Sequence, residues 1–203
     1  MIKSGMAAKS SSTKARGETV DRILDCAELL VQTRGFNGFS YADISAQLHI
    51  TKASVHHHFP TKAELGKRLI QRYHLNFRAA LSQIDAEGGD ATVKLRRYLR
   101  LYVDVLRDKE RMCLCGMLAA EIATLARPLR DALKSFFEMN EEWIAKVLSD
   151  GQKERTLHLR GHPRDEARSL LSAFEGAMLV ARCFGDVARF RAAAEGFVAR
   201  LEA

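Results

Sequence analysis

The hydrophobic residues of this chain recur every three or four positions over most of its length, which is the spacing of amphipathic helices. A first stripe ends near Gly35, and similar stripes lie at 95–106 and 170–179. No segment alternates convincingly between apolar and polar residues as a strand would. The pattern therefore predicts an all-α fold with about nine helices. The residues of the first stripe are Val20, Ile23, Leu24, Ala27, Leu30 and Val31.

Capping residues divide this helical pattern into elements. Ser40 is a good N-cap for a short helix, and Thr51 can cap a second one that ends near His58. Thr61 and Glu64 match a capping box, which predicts a long helix that stops at residues 88–89. Later helices are expected over about 112–125, 128–150 and 163–184, with a last one running to the C-terminus.

The charge of the chain is basic and uneven. Lys and Arg outnumber Asp and Glu by 32 to 25, and residues 1–75 alone carry 11 of the basic and 6 of the acidic residues. This asymmetry suggests that the N-terminal part faces a polyanion. Residues 1–17 are small, polar and basic, and they are expected to form a disordered arm.

Other features bear on the compartment. The chain has no run of about 18 apolar residues, so no membrane span is expected, and the N-terminus lacks the apolar core of a signal peptide. Of the four cysteines only Cys113 and Cys115 are close in sequence. This is unlike a secreted disulfide framework, and a cytoplasmic location is expected.

Residues 40–59 have the layout of a helix-turn-helix, in which a second short helix can enter the major groove of DNA. That helix begins Thr51-Lys52-Ala53-Ser54, and such small polar residues allow a close approach to base edges. A pair of short helices is common in all-α proteins, so the layout alone is a weak signal.

The run GFNGFSYADISAQLHITKASVHHHFPTKAEL, residues 35–65, strongly resembles the DNA-binding region of TetR-family regulators. The matching positions are Gly35, Phe36, Ser40, Ile44, Thr51, Lys52, His58, Phe59, Lys62 and Leu65. The resemblance implies a helix-turn-helix DNA-binding domain at 18–65 and a helical ligand-binding and dimerisation domain at 66–203. It further implies a repressor that binds a pseudo-palindromic double-stranded DNA operator as a homodimer and is released by an unknown small-molecule effector or an electrophile. The expected DNA-binding residues are Ser40, Tyr41, Thr51, Lys52, Ala53, Ser54, His56, His57 and Lys62.

Three consecutive histidines, His56, His57 and His58, raise the question of a metal site. Neighbouring residues on a helix point about 100° apart, so the three cannot converge on one ion, and no metal is expected. The resemblance instead places His56 and His57 near the DNA backbone and assigns His58 a packing role. His49 stands where the family usually has Gly, and it is expected to tolerate a left-handed backbone.

In the C-terminal part, the resemblance implies a ligand pocket and a dimer interface formed by the last two helices. For the aromatic residues, ordinary core packing is the alternative to ligand contact. The ligand or sensor candidates are Tyr98, Tyr102, Cys113, Met117, Phe137, Trp143 and Phe174. The interface candidates are Leu170, Leu171, Phe174, Met178 and Phe197.

The segment from Cys113 to Glu121 resembles a part of the NemR-like, electrophile-responsive subgroup of the family, in which the cysteine aligned with Cys113 is a sensor. Arg111 and the start of a helix could both lower the pKa of the Cys113 thiol. The alternative is that Cys113 and Cys115 are two small buried thiols.

An enzyme is the competing class of function. The sequence holds no nucleophile elbow, phosphate loop or H-E-x-x-H motif, so neither catalysis nor a cofactor is expected. Two alternatives stay open at this point. One is a DNA-binding protein of the nucleoid type with little sequence preference, and the other is a helical metal-dependent enzyme.

Overall fold

The computed structural model describes residues 5–108 and 111–202, and every regular element within these ranges is helical. This confirms the predicted all-α class with about nine helices. A single 3-10 turn, Ile122–Thr124, lies between α6 and α7. The helices are α1 Gly5–Arg34, α2 Tyr41–Leu48, α3 Lys52–His58, α4 Lys62–Ala86, α5 Ala91–Arg107, α6 Leu114–Ala120, α7 Arg127–Lys153, α8 Pro163–Cys183 and α9 Val187–Glu202.

The N-terminal helix is longer than the hydrophobic stripe predicted. Helix α1 begins at Gly5, so residues 5–17 are helical and do not form the expected disordered arm. Residues 1–4 of that arm lie outside the described residues. Alanine, methionine and lysine between residues 6 and 16 are good helix formers, and no proline interrupts them, so this stretch is compatible with a helix.

The predicted caps of the short helices are confirmed. The Ser40 and Thr51 hydroxyls accept hydrogen bonds from the amides of Ala42 and Ser54, at 3.2 and 3.1 Å. The Asp43 carboxylate completes a capping box on α2, a partner that the sequence analysis had not named. At the turn between α2 and α3, His49 adopts φ 54° and ψ 42°, the left-handed conformation that was expected there.

The capping box of α4 is confirmed as well. The Glu64 amide donates to the Thr61 hydroxyl at 3.2 Å, and the Thr61 amide donates to the Glu64 carboxylate at 3.3 Å. Helix α4 then runs from the first three helices into the C-terminal bundle, where it packs mainly on α7. It thereby connects the two parts of the chain.

Helix α6 is shorter than the predicted helix at 112–125. The Met112 amide donates to the Gln32 carbonyl of α1 at 3.2 Å, which ties residue 112 to another helix. Cys113 is therefore the N-cap, and its sulfur accepts the Gly116 amide hydrogen at 3.4 Å. At the other end the chain tightens into the 3-10 turn, so the predicted element is divided in two.

Helices α5, α7, α8 and α9 pack together around an aromatic core. The Tyr98 ring stacks on Trp143 and Phe174, with centroids 5.4 and 6.0 Å apart. Its hydroxyl donates to Asn140 Oδ1 at 3.0 Å and lies 2.9 Å from the Tyr102 hydroxyl. Burying these polar atoms is tolerated because they satisfy one another.

Candidate functional site

The start of α3 is an exposed surface of small, polar and basic residues. Thr51, Lys52 and Ala53 are exposed, Ser54 is half-buried, and Ser40 is exposed at the N-cap of α2. Val55 is fully buried and holds the opposite face of α3 against the domain. Helix α3 therefore presents one face outward at its N-terminal end, which is the end that a recognition helix uses.

Tyr41 lies inside the domain, which corrects its assignment as a DNA contact. Its hydroxyl donates to the Phe59 carbonyl at 2.8 Å, and only 8% of the residue is exposed. Burial, with a smaller contribution from Glu64, raises the pKa of Tyr41 to about 12. Tyr41 thus ties α2 to the end of α3.

Lys62 is also turned inward, contrary to the expectation that its charge would meet a phosphate. Its ammonium group donates to the carbonyl oxygens of Phe36 and Phe39 and lies 4.8 and 4.1 Å from their ring centroids. Burial lowers the pKa of Lys62, and the negative charges of Glu121 and Asp43 oppose this effect. Lys62 therefore fastens α4 to the loop before α2.

The three histidines point in different directions. His56 and His57 are exposed, and His56 Nδ1 lies 3.4 Å from the Pro60 carbonyl oxygen. The rings of His57 and His58 meet edge to face at 5.2 Å. Among the residues that the structure describes, no group of three or more His, Cys, Asp or Glu side chains could hold a metal ion.

The loop between α1 and α2 is bound to the C-terminal part by Glu121. The carboxylate of Glu121 accepts the Asn37 amide at 3.0 Å, and the Asn37 side chain donates to the Thr124 hydroxyl at 2.8 Å. Gly35 has φ 85°, and a Cβ atom there would lie 2.4 Å from Glu121 Oε1. Glycine is therefore needed at this position both for its backbone and for the close approach of Glu121.

A second connection comes from α8. The Arg182 guanidinium donates to the carbonyl oxygen of Thr33, at the end of α1, and to the sulfur of Met117 on α6, the latter at 3.5 Å. Arg182 therefore joins α8 and α6 to the end of α1.

A cavity of about 280 Å³ lies between the segment leading into α6, α6 itself, α7 and α8. Most of its wall is apolar, and the described residues that line it include two carboxylates, one hydroxyl and no Lys, Arg or His. The lining residues are Met112, Gly116, Ala119, Phe137, Glu141, Leu171, Ser172, Glu175 and Leu179.

Glu175 is the unusual group of this cavity. Its Oε1 atom is buried and has no hydrogen-bond partner among the described residues, while Oε2 lies against the backbone of Gly116. Burial raises the pKa of Glu175 to about 7, and hydrogen bonding from Cys113 and Tyr102 offsets part of the rise. The second carboxylate, Glu141, forms an ion pair with Arg168 at 3.4 Å.

Both parts of the chain match known family models. Residues 23–69 match the model described as bacterial regulatory proteins, tetR family, and residues 92–196 match the C-terminal domain of LmrA/YxaF-like transcriptional regulators. The chain belongs to the TetR family of bacterial regulatory proteins. It is a transcriptional regulator with an N-terminal helix-turn-helix, as the motif at 35–65 predicted.

Individual TetR-family proteins agree with this assignment. A transcriptional regulator from Agrobacterium tumefaciens is 33% identical, with a TM-score of 0.90 over 93% of this chain and 100% of its own. The repressor DhaR of a Mycobacterium species is 24% identical over 72% of this chain and 73% of its own length. The reduced form of Escherichia coli NemR shares the fold, with a TM-score of 0.78 at 21% identity, over 89% of this chain and 95% of NemR.

The residues that the sequence suggested for the ligand site of this TetR-family protein are mostly core. Phe137 lines the cavity, and Met117 is half-buried on α6 against Arg182. The other aromatic candidates are absent from the cavity wall. The alternative of ordinary core packing therefore describes Tyr98, Tyr102, Trp143 and Phe174.

Glu175 was missed by the sequence analysis, although a signal for it exists. It is a carboxylate that immediately follows Phe174 and precedes Met178 in the apolar stripe of α8. A lone charge at the edge of such a stripe is a sign of a functional polar group. Its partners, Tyr102 on α5 and Cys113 and Gly116 at the start of α6, could not be paired with it from the sequence.

The surroundings of Cys113 raise the pKa of its thiol, whereas a sensor cysteine was predicted to have a lowered pKa. Only 2% of Cys113 is exposed, and burial together with the Glu175 carboxylate raises the pKa of its thiol well above the usual value. Arg111 pairs with Asp108 and does not appear among the groups that shift this pKa. Cys115 is buried with a raised pKa as well, while Cys183 is exposed.

The predicted dimer-interface residues are buried within one chain. Leu170 and Met178 are fully covered, and Leu171 and Phe174 are 4% and 1% exposed, so these four side chains form core. Phe197 is half-buried, with the Arg200 guanidinium 5.2 Å from its ring. The apolar side chains that α8 leaves uncovered are different ones: Leu179, Val180 and, just beyond its end, Phe184.

No helix in the described part of this TetR-family protein is long and apolar enough to cross a membrane.

Proposed function

We propose that the protein is a repressor that binds a pseudo-palindromic operator as a homodimer and leaves it when a small molecule binds in its C-terminal part. Residues 18–65 are the DNA-binding unit, and residues 66–203 bind the effector and form the dimer. Because the operator is chromosomal DNA, the protein acts in the cytoplasm.

The observation that carries this proposal is the exposed start of α3. Thr51, Lys52 and Ala53 face outward there, with His56 and His57 one turn further on. Small residues allow the helix to approach base edges, and Lys52 brings a positive charge to the reading end. The buried Tyr41 and the half-buried Lys62 hold this helix and its approach loop in place.

The dimer part of the proposal is supported by the uncovered apolar side chains Leu179, Val180 and Phe184, which are 50%, 54% and 62% exposed. Three large apolar residues clustered at one end of α8 are costly to leave in water. A second copy placed across a two-fold axis would cover them and would present two α3 helices to one DNA face. Operator symmetry would then mirror protein symmetry.

The release mechanism follows from the contacts of α6 and α8. The cavity lies against both helices, Glu121 lies directly after α6, and Arg182 lies near the end of α8. A ligand that shifts either helix moves the loop at 35–38 or the end of α1. A displacement of the two reading heads by a few ångströms breaks their register with the two half-sites.

The proposal is tested with duplexes selected from a random pool by the wild-type protein. Wild type should prefer its selected duplex over random duplex by at least about a thousandfold. Lys52→Ala should reduce affinity about tenfold and lower the slope of log affinity against log salt by about one unit. Lys134→Ala, an exposed lysine on α7, is the matched control. Equal affinity for selected and random duplexes would instead favour the nucleoid-type alternative.

An electrophile is the second candidate signal because the segment from Cys113 to Glu121 resembles that of the electrophile-responsive subgroup. The burial and raised pKa of Cys113 favour a reversibly bound ligand over thiolate chemistry. In Cys183→Ser, which removes the exposed thiol beside Phe184, treatment with N-ethylmaleimide should therefore leave operator affinity unchanged. Loss of operator binding by Cys183→Ser, but not by the double variant Cys113→Ser/Cys183→Ser, would establish the electrophile sensor.

A further inference from the structure

The charged side chains that line the cavity between α6, α7 and α8 are acidic within the described residues. The polar lining groups of this cavity are the carboxylates of Glu141 and Glu175 and the hydroxyl of Ser172, and among the described residues no basic side chain contributes to the wall. An anionic ligand would meet the carboxylate of Glu175, which no cation among the described residues balances. The charge of the wall alone therefore disfavours a negatively charged ligand, whatever the shape of that ligand.

The two carboxylates differ in what they already bind. Glu141 is paired with Arg168, so its charge is largely balanced. Glu175 forms no ion pair within the described residues, and its Oε1 atom is buried without a donor. A buried carboxylate oxygen in this condition is rare in folded proteins, and a ligand that supplies the missing donor explains it.

The surroundings of Glu175 also limit the class of ligand. Cys113 and Tyr102 already interact with the carboxyl group from the side of the core. The remaining lining is mainly apolar, from Met112, Phe137, Leu171 and Leu179. Two carboxylates and a hydroxyl, with no His or Cys in the lining, are a poor set for a transition metal. An organic cation with an apolar body matches both halves of the wall.

We infer that this cavity binds a compact apolar molecule that carries a protonated amine, with an ammonium N–H donating to Glu175 Oε1 and the apolar body packing on α7 and α8. This inference rests on the proposed function, because it takes the cavity as the effector site. A cavity of about 280 Å³ exceeds the roughly 150 Å³ that holds a benzene ring, so the body is about one ring with a short substituent.

Gly116 has a defined part in this site. A Cβ atom at residue 116 would lie 2.3 Å from Glu175 Oε2, so only glycine lets the carboxylate lie against the α6 backbone. Binding of the amine would pull the Glu175 carboxylate toward the ligand and change its contact with α6. Helix α6 leads to Glu121, which binds the loop at 35–38. The amine thus acts at the point where the cavity and the DNA-binding domain are connected.

The test uses three probes of one shape and different charge: benzylammonium, benzyl alcohol and benzoate. Binding to the full-length protein is measured by calorimetry at about pH 8, where Glu175 is ionised. Benzylammonium should bind at least about tenfold more tightly than benzyl alcohol, and benzoate should bind most weakly. Glu175→Gln should weaken benzylammonium binding about 10- to 100-fold and change benzyl alcohol binding little.

Two further variants separate charge from geometry. Glu138→Gln removes an exposed carboxylate from α7, outside the cavity lining, and should bind all three probes as wild type does. Gly116→Ala keeps the charge of Glu175 but displaces the carboxylate, so it should also lose affinity for benzylammonium. Thermal unfolding of each variant verifies that the protein remains folded.

Equal binding of the amine and the alcohol, unchanged amine binding in Glu175→Gln, or no binding of any probe at its highest soluble concentration would overturn the inference. A parallel measurement of operator binding by wild type without probe reports on the proposed function separately. If the operator is bound selectively but the amine is not preferred, the repressor proposal stands and the ligand class is wrong. If no selective duplex is found, the repressor proposal fails regardless of the calorimetry.

Discussion

The DNA-binding domain and the ligand cavity are built in different ways. The reading helix is positioned by partners close in the chain, such as Thr51 with Ser54 and Tyr41 with Phe59. The cavity is formed by residues of α6, α7 and α8, which come together only when the whole bundle has folded. The first can therefore be recognised as a motif, whereas the second is visible only in three dimensions.

The two regions also treat charge differently. In the DNA-binding domain the ammonium group of the half-buried Lys62 contacts two carbonyl oxygens and two aromatic rings. In the cavity the buried carboxylate of Glu175 keeps an oxygen without a donor. A satisfied buried charge indicates a structural role, and an unsatisfied one indicates a role in binding.

The largest expected effect is the difference between substituting a core residue and substituting an exposed residue on or just beyond α8. Phe174→Asp places a charge in the core and should cost more than about 4 kcal/mol of stability, enough to unfold the protein. Phe184→Asp changes a side chain that is 62% exposed, so the chain should remain folded but dimerise less. Circular dichroism and light scattering distinguish these outcomes. A folded, monomeric Phe174→Asp protein would restore the original interface prediction.

The second prediction concerns Lys62. Lys62→Met removes two charge-assisted hydrogen bonds and should destabilise the DNA-binding domain by about 2 kcal/mol. Its operator affinity should fall while the salt slope stays the same, because no phosphate contact is lost. Urea unfolding and DNA titrations at several salt concentrations measure both effects. Lys67→Met, an exposed neighbour on α4, is the control.

If Lys62→Met instead kept its full stability and lost about one unit of salt slope, Lys62 would be a phosphate contact after all.

The caps illustrate what the sequence could predict. Ser40, Thr51 and the Thr61–Glu64 pair act within three residues of themselves, so their hydrogen bonds follow from local spacing. The left-handed turn at His49 is equally local. The same holds for the all-α class and for the motif at 35–65, because helical period and motif spacing are properties of neighbouring residues.

The contacts that the sequence did not predict join distant residues. Lys62 reaches back to Phe36 and Phe39, and Glu121 reaches the loop at 35–38. A lysine that follows a recognition helix looks the same in sequence whether it points to DNA or inward. The aromatic residues of α5 and α7 were similarly ambiguous, because a core and a ligand pocket use the same side chains.

The third prediction tests the cavity through the pH dependence of stability. Burial raises the pKa of Glu175 from 4.5 to about 7 in the folded protein, so the native state binds its proton more tightly than the unfolded chain. The contribution of protonated Glu175 to the free energy of unfolding is therefore fully present below about pH 4.5 and is lost as the pH rises through 7. Glu175→Gln lacks this loss and should be more stable than wild type by about 2 kcal/mol at pH 8.

At about pH 4 the difference between Glu175→Gln and wild type should nearly vanish, because the wild-type carboxyl group is then protonated in both states. Chemical denaturation across this pH range measures it. A constant difference at all pH values would mean that Glu175 is solvated and ionises normally, which would also weaken its proposed role in binding.

The smallest expected effect concerns the left-handed backbone conformation, which a non-glycine residue adopts both in the DNA-binding domain and in the C-terminal part. His49, in the turn before α3, and Arg155, after α7, have φ of 54° and 59°, a conformation that costs a residue with a Cβ atom about 1 kcal/mol. Glycine relieves this strain but loses more chain entropy on folding, so His49→Gly and Arg155→Gly should each gain only about 0.5 kcal/mol. His49→Ala and Arg155→Ala keep the Cβ atom and should gain nothing. Thermal unfolding of the four variants makes the comparison.

If both glycine variants are stabilised alike and operator affinity is unchanged, His49 is a turn residue only. If His49→Gly is stabilised but binds the operator less tightly, the imidazole itself contributes to DNA binding.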